Sequence, residues 1–196
     1  MERPICNFNT GGNHSSMKFI ESRLNGMFII EPQPIADERG FFARIFCRKE
    51  FEQHGLNSHF VQCSISFNRK KGTLRGMHYQ ISPFEEIKIV RCTMGVIYDV
   101  CIDLRPDSKT FRRWIGVELS AENRKMIYIP KGFSHGFQTL TKDTEVFYQM
   151  SEFYAPEYAR GVRWNDPQFN IAWPDDMRTI SAKDNNFDDF VSINVR

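Results

Sequence analysis

The amino-acid sequence predicts an all-β protein, a jelly-roll barrel with a few short helices. Three observations carry that expectation. Apolar and polar residues alternate with period two in VIYDVCIDL, where Val96, Tyr98, Val100, Ile102 and Leu104 share one face and Asp99 and Asp103 lie on the other. Short strand-like runs recur along the middle of the chain, separated by turn-forming groups such as RPDSKT, PKG and TKD. The 18 Phe residues favour sheets and aromatic pockets over a helical bundle. Many short strands with almost no helix point to a sandwich or jelly roll.

Taken in order, the strand candidates begin with MFIIEP near residue 30, followed by a short helix at EFEQHG near residue 50. FVQCSISF, TLRGMHYQ and IKIVRCTM come next, then VIYDVCIDL and WIGVELS. SAEN at 120 reads as a second short helix, before the strands KMIYIP, GFQTL and EVFYQM. From Trp164 the alternation fades, so WNDPQFNIAWPDD reads as a covering loop, with a last helical stretch over 184–190. No internal repeat or linker interrupts this series. The expectation is a flexible leader over 1–16, rich in Gly, Asn and Ser, and a single domain over 17–196.

Composition narrows the function classes. A chain of 196 residues with 41% hydrophobic and 26% charged residues suits one well-buried core. A formal net charge of +2 gives no reason to expect nucleic acid, although it is compatible with a local anion site. No run approaches the roughly 18 apolar residues of a membrane span, and the N-terminus lacks a signal-peptide core. The five cysteines, Cys6, Cys47, Cys63, Cys92 and Cys101, are odd in number and form no CxxC, which fits reduced thiols in a cytoplasmic protein.

Several residues could carry chemistry. His78 stands in TLRGMHYQ beside Arg75 and Gly76, where a half-buried structural histidine is the commoner occupant. Lys88 shares a strand face with Val90 and Cys92, so it either snorkels at a sheet edge or points into a pocket, where it could stabilise negative charge on an oxygen. Tyr148 shares a face with Val146 and Met150 and is either a core tyrosine or a proton donor at the barrel mouth. His135 lies among glycines and aromatics in PKGFSHGF, where turn chemistry explains the glycines but not the imidazole. Barrel metal sites often use histidines at alternate positions, but the position two after His78 is Gln80; no metal is expected. A base, a cation and an acid together suit proton removal beside a carbonyl, with reprotonation from the opposite face. A carboxylate behind the imidazole would strengthen the base, but 24 acidic residues leave its identity open.

These motifs resemble those of the TDP-4-dehydrorhamnose 3,5-epimerases, RmlC-type cupins of nucleotide-sugar biosynthesis. The resemblance runs from about Met17 to Asp184. It rests on DERGFF (37–42), GTLRGMHYQ (72–80), IKIVRC (87–92), IYDVCIDLR (97–105), YIPKGFSHGF (128–137), FYQMSEFYAPE (147–157), RWNDP (163–167) and ISAKD (180–184). It implies a cupin jelly roll, a homodimer with exchanged strands, a nucleotide-diphosphate sugar as ligand, and no cofactor. By this resemblance His78 is the base, Asp184 its carboxylate partner, Lys88 the enolate stabiliser and Tyr148 the opposite-face acid. It further assigns Arg75, and Arg39 from the partner subunit, to the diphosphate. Phe42 would pack on the base; Gln62, Ser64, His135, Tyr154 and Lys183 would line the ligand site. Three positions depart from the common family pattern: Ser64 stands where an Asn is frequent, Arg44 replaces an acidic residue, and Lys183 stands where some members carry Arg. Single-carbon epimerases keep the same motifs and give a second expectation. A non-catalytic sugar-binding jelly roll is a third, but it has no use for Lys88, Tyr148 and Asp184 together.

Overall fold

Among the residues that the computed structural model describes, 15–176 and 178–190, alternating side chains build two sheets, antiparallel but for one short parallel pairing, whose apolar faces meet. The first sheet contains β1 (Met17–Glu21), β2 (Phe28–Pro32), β10 (Met126–Ile129), β7 (Lys88–Met94), β12 (Thr144–Met150) and β5 (Gln62–Asn68), in that spatial order. The second runs β13 (Ala159–Gly161), β6 (Thr73–Gln80), β11 (Phe133–Thr139), β8 (Val96–Asp103) and β9 (Trp114–Ser120), with β14 (Thr179–Ile180) also paired to β6. A hairpin of β3 (Ile35–Asp37) and β4 (Gly40–Phe42) stands apart from both sheets. The helices are α1 (Arg48–Gln53) and α2 (Ala182–Asn185). The jelly-roll expectation is met.

Three apolar layers hold the fold. Val90, Cys92, Ile127, Ile129 and Val146 of the first sheet meet Ile97, Cys101, Leu119, Phe133 and Phe137 of the second. On the outside of the first sheet, Phe51 of α1 is fully buried among Phe19, Phe46, Phe60 and Tyr128. Outside the second sheet, Leu74, Met77, Val100 and Ile102 lie beneath Val162, Phe169, Trp173 and Phe190. The covering segment expected after Trp164 therefore shields the second sheet from water, as its Trp and Phe residues require.

The alternation in VIYDVCIDL is real, with one refinement. Tyr98, Val100, Ile102 and Leu104 face the covering segment, so Asp99 shares the inner face with Ile97 and Cys101. SAEN does not form a helix. Ser120 and Asn123 exchange hydrogen bonds, Asn123 N–H to Ser120 Oγ at 2.9 Å and Ser120 N–H to Asn123 Oδ1 at 3.1 Å. These bonds, followed by Arg124 at φ 54°, close a turn instead. The helix expected over 184–190 is confined to α2. Residues 1–14 of the expected leader lie outside the described residues. Ser15 is buried; its hydroxyl donates to Gln33 O at 2.8 Å and accepts the Arg44 N–H at 2.7 Å. Among the described residues no helix is long and apolar enough to cross a membrane.

Candidate active site

Arg75 and His78 would fall on opposite faces of a regular strand. The pairing of β6 with β11 shows why they do not. His78 pairs with His135 and Arg75 with Phe137, so β6 carries an extra residue between the two pairs. This bulge resets the alternation and turns Arg75 and His78 into the same cavity. It forms where β6 and β11 approach at two glycines. A Cβ on Gly76 (φ 131°) would lie 2.5 Å from Gly136 Cα, and one on Gly136 would lie 2.7 Å from Arg75 O. Only glycine fits at both positions.

Asp184 ties the bulge to the histidine. Its Oδ2 accepts the Gly76 N–H at 3.2 Å, and its Oδ1 lies 2.8 Å from His78 Nε2. Ser181 begins α2 and accepts the Asp184 N–H on its hydroxyl at 3.0 Å, which fixes where the carboxylate starts. Burial alone would raise the Asp184 carboxyl, but the hydrogen bonds from His78, Gly76 and Ser181 outweigh it and hold the group below the ordinary carboxylate range. An ionised carboxylate can only accept, so Nε2 carries a proton, and in the neutral ring the lone pair is then on Nδ1. The Asp184 side chain is 8% exposed and that of His78 is 43% exposed, so the carboxylate is sheltered while the imidazole remains accessible.

The cavity between the sheets measures about 550 Å³. The second sheet contributes Arg75, His78 and His135, and the first contributes Gln62, Ser64, Lys88 and Tyr148. Tyr154 and Lys183 complete the predicted residues in its lining. Burial pushes the Tyr148 phenol well above its ordinary value; the Asp99 charge pushes the same way, and Arg75 opposes. Tyr148 therefore remains protonated at neutral pH and has a proton to give.

The structure also supplies partners that motif reading did not identify. Lys88 Nζ lies 2.9 Å from Glu86 Oε1, and each side chain is 13% exposed, so Lys88 points into the pocket instead of snorkelling. His135 lies within strand β11, and its Nε2 is 3.0 and 2.9 Å from the two Asp99 oxygens. Burial raises the Asp99 carboxyl, and the His135 contacts draw it back. Arg75 Nε donates to Asn68 Oδ1 at 2.7 Å, which aims the guanidinium. Asp99 could have been suspected as an acid within an apolar strand; Glu86 and Asn68 leave no comparable signal.

Two predicted residues are not brought to this cavity within the chain. Arg39 and Phe42 lie on the β3–β4 hairpin, outside the cavity lining, with the Arg39 side chain 84% exposed and Phe42 69% exposed. Arg39 there pairs with Asp37. Arg44, a departure from the family pattern, donates to Glu50 Oε1 at 2.8 Å and also lies outside the lining. Among the described residues no group of three or more His, Cys, Asp or Glu is placed to hold a metal ion. The described cysteines Cys47, Cys63, Cys92 and Cys101 are free.

A carboxylate-backed imidazole on one wall and a protonated phenol on the other can take a carbon-bound proton and return one. That chemistry suits an isomerase that inverts a carbon beside a carbonyl. Residues 21–192 match the family described as dTDP-4-dehydrorhamnose 3,5-epimerase. A protein of that name from Shigella flexneri is 43% identical over 176 residues, covering 89% of this chain and 97% of that one. The crystal structure of the Bacillus anthracis enzyme of that name, with TDP and PPi bound, has a TM-score of 0.87 at 39% identity and covers 89% of this chain and 100% of that one. The Legionella pneumophila epimerase RmlC in complex with dTDP-4-keto-L-rhamnose has a TM-score of 0.81 at 40% identity, covering 86% of this chain and 90% of that one. The chain belongs to the dTDP-4-dehydrorhamnose 3,5-epimerase family and is an isomerase.

Proposed function

We propose that this chain inverts C3 and C5 of dTDP-4-keto-6-deoxyglucose. The observation that carries this reading is the placement of the His78–Asp184 pair and Tyr148 on facing sheets around one cavity. Neutral His78 takes the proton from the carbon beside the C4 ketone. The electron pair moves into an enolate whose oxygen is stabilised by the Lys88 ammonium, with His135 nearby. Tyr148 then delivers a proton to the other face of that carbon, inverting it, and solvent exchange returns both groups to their starting protonation. No electrons leave the sugar, so the reaction needs no redox cofactor.

Arg75 would take the diphosphate, because a guanidinium can offer paired donors to phosphate oxygens. Gln62, Ser64, Tyr154 and Lys183 would contact the sugar and nucleotide. Proton NMR in heavy water tests the reading. Incubation with dTDP-4-keto-6-deoxyglucose should place one deuterium at C3 and one at C5 as the product forms. Label at one carbon alone would indicate a single-carbon epimerase, and unchanged, unlabelled ligand would indicate a binding module.

We further propose a homodimer in which the β3–β4 hairpin of each subunit completes the other's cavity, bringing Arg39 to the diphosphate and Phe42 to the base. Two features support it: the exposed hairpin, and the edge strand β5, where Ile65 is 65% and Phe67 47% exposed. An apolar edge of this kind favours a partner. Arg39→Ala and His78→Ala proteins, each weakly active alone, should recover activity when co-refolded, because a mixed dimer contains one intact site. If the mixture is no more active than its components, Arg39 does not act across subunits. A cytoplasmic location fits the free thiols.

A further inference from the structure

The base has a neighbour to which neither the motifs nor the proposed chemistry gives a role. Phe187 follows Asp184 closely in the chain, and its ring meets the His78 imidazole edge to face, with centroids 5.8 Å apart and planes at 76°. The ring occupies a slot kept open by Gly161, the residue of β13 paired with His78. A Cβ on Gly161 would lie 2.3 to 2.5 Å from three Phe187 ring carbons. Phe187 also lines a second cavity of about 180 Å³ that shares Tyr79, Ala159 and Arg160 with the main one.

We propose that Phe187, seated against Gly161, is a positioning residue that fixes the plane of the His78 imidazole and separates its cavity from the adjoining one. Asp184 contacts the imidazole at one nitrogen, a single point about which the ring could still swing. Phe187 supplies the second point. The same short segment thus delivers both the carboxylate that polarises the base and the ring that aims it. Without the ring, the two cavities would merge. Several waters could then enter beside His78, since each occupies about 30 Å³ of liquid volume, and Nδ1 would lose its fixed direction toward the substrate.

This inference rests on the epimerase reading, and the test separates the two. In Phe187→Ala, kcat should fall about 10- to 100-fold with KM within about twofold of wild type, since displacement of a catalytic group by about an ångström costs on that order. Phe187→Leu, which refills the slot, should recover most of the rate. Gly161→Ala should reproduce the Phe187→Ala loss by displacing the ring. The His78 ring-proton NMR resonances, which need no turnover, should shift in Phe187→Ala as the aromatic ring current disappears. An unchanged kcat in folded Phe187→Ala, or a higher KM with unchanged kcat, would overturn the proposal. Lack of activity in the wild-type protein, with the expected NMR shift present, would instead count against the epimerase reading and leave the positioning contact standing.

Discussion

Replacing His78 with alanine should lower kcat by about 10³- to 10⁴-fold and remove solvent deuterium exchange at both ring carbons to the same degree. General-base catalysis contributes about 10²- to 10⁴-fold in typical enzymes. Here the loss belongs at the upper end, because Asp184 polarises this accessible imidazole, whereas the other imidazole of that wall, His135, is buried against Asp99. Substrate affinity should change little, since the diphosphate contacts are proposed for Arg75 and Arg39 instead. The pH dependence follows from the direction of the Asp184 shift. A carboxyl held below its ordinary value contributes its stabilisation fully above the ordinary carboxylate range, and loses it only as pH falls through the lowered value. Asp184 therefore stays ionised from neutrality down to the ordinary carboxylate range. Asp184→Asn should slow proton removal, because an amide cannot stabilise the imidazolium that forms. A His78→Ala protein with near-wild-type exchange would remove His78 from the mechanism.

Tyr148→Phe should have the second-largest effect, and a qualitatively different one. The substitution deletes one hydroxyl and keeps the ring that packs against the inter-sheet core and stands edge to face with His135 at 6.1 Å. Inversion should slow by about 10²-fold or more. Deuterium should still enter the substrate, because His78 can take a proton, exchange it with solvent and return it to the same face. The signature is therefore label in unreacted sugar with little epimer formed. The raised phenol value sets the alkaline behaviour. A group whose folded value is raised keeps its protonated contribution below its ordinary value of 10.0 and loses it only as pH rises through the folded one. Tyr148 should produce no alkaline rate limb below about pH 10. Equal loss of exchange and inversion in Tyr148→Phe would show that the hydroxyl is needed before the proton leaves, contradicting its role as terminal acid.

The fold was legible because period two states which residues share a face. Lys88 with Val90 and Cys92, and Tyr148 with Val146, follow directly from alternation, and the apolar residues after Trp164 announce a cover. Alternation fails where the chain breaks it. The β6 bulge that joins Arg75 and His78 on one face depends on Gly76 meeting Gly136, a contact between strands far apart in sequence. β13 and β14 are too short to show a period. At SAEN, helix-compatible residues form a turn because Ser120 and Asn123 satisfy each other's backbone groups.

The site was legible to a lesser degree. Isolated polar residues on apolar strands draw attention, and His78, Lys88 and Tyr148 are of that kind. Their partners are ordinary acids and amides. Asp184 is 106 residues from His78, and Asp99 is 36 from His135, so spacing alone connects neither pair. Only the family resemblance points to Asp184, while Asp99, Glu86 and Asn68 meet their partners through strand pairing and folding that spacing does not encode. Arg39 and Phe42 illustrate another limit: within one chain they stand away from the cavity they are proposed to serve.

The most direct test is a crystal structure of the protein with an unreactive dTDP-4-keto-sugar analogue bound. The account predicts His78 within about 3–3.5 Å of C3 or C5 on one side of the sugar ring, a near-attack distance, with the Tyr148 hydroxyl facing the same carbon from the other side and Lys88 near the C4 oxygen. A sugar ring bound with His78 and Tyr148 on the same side, or beyond the reach of either, would contradict it.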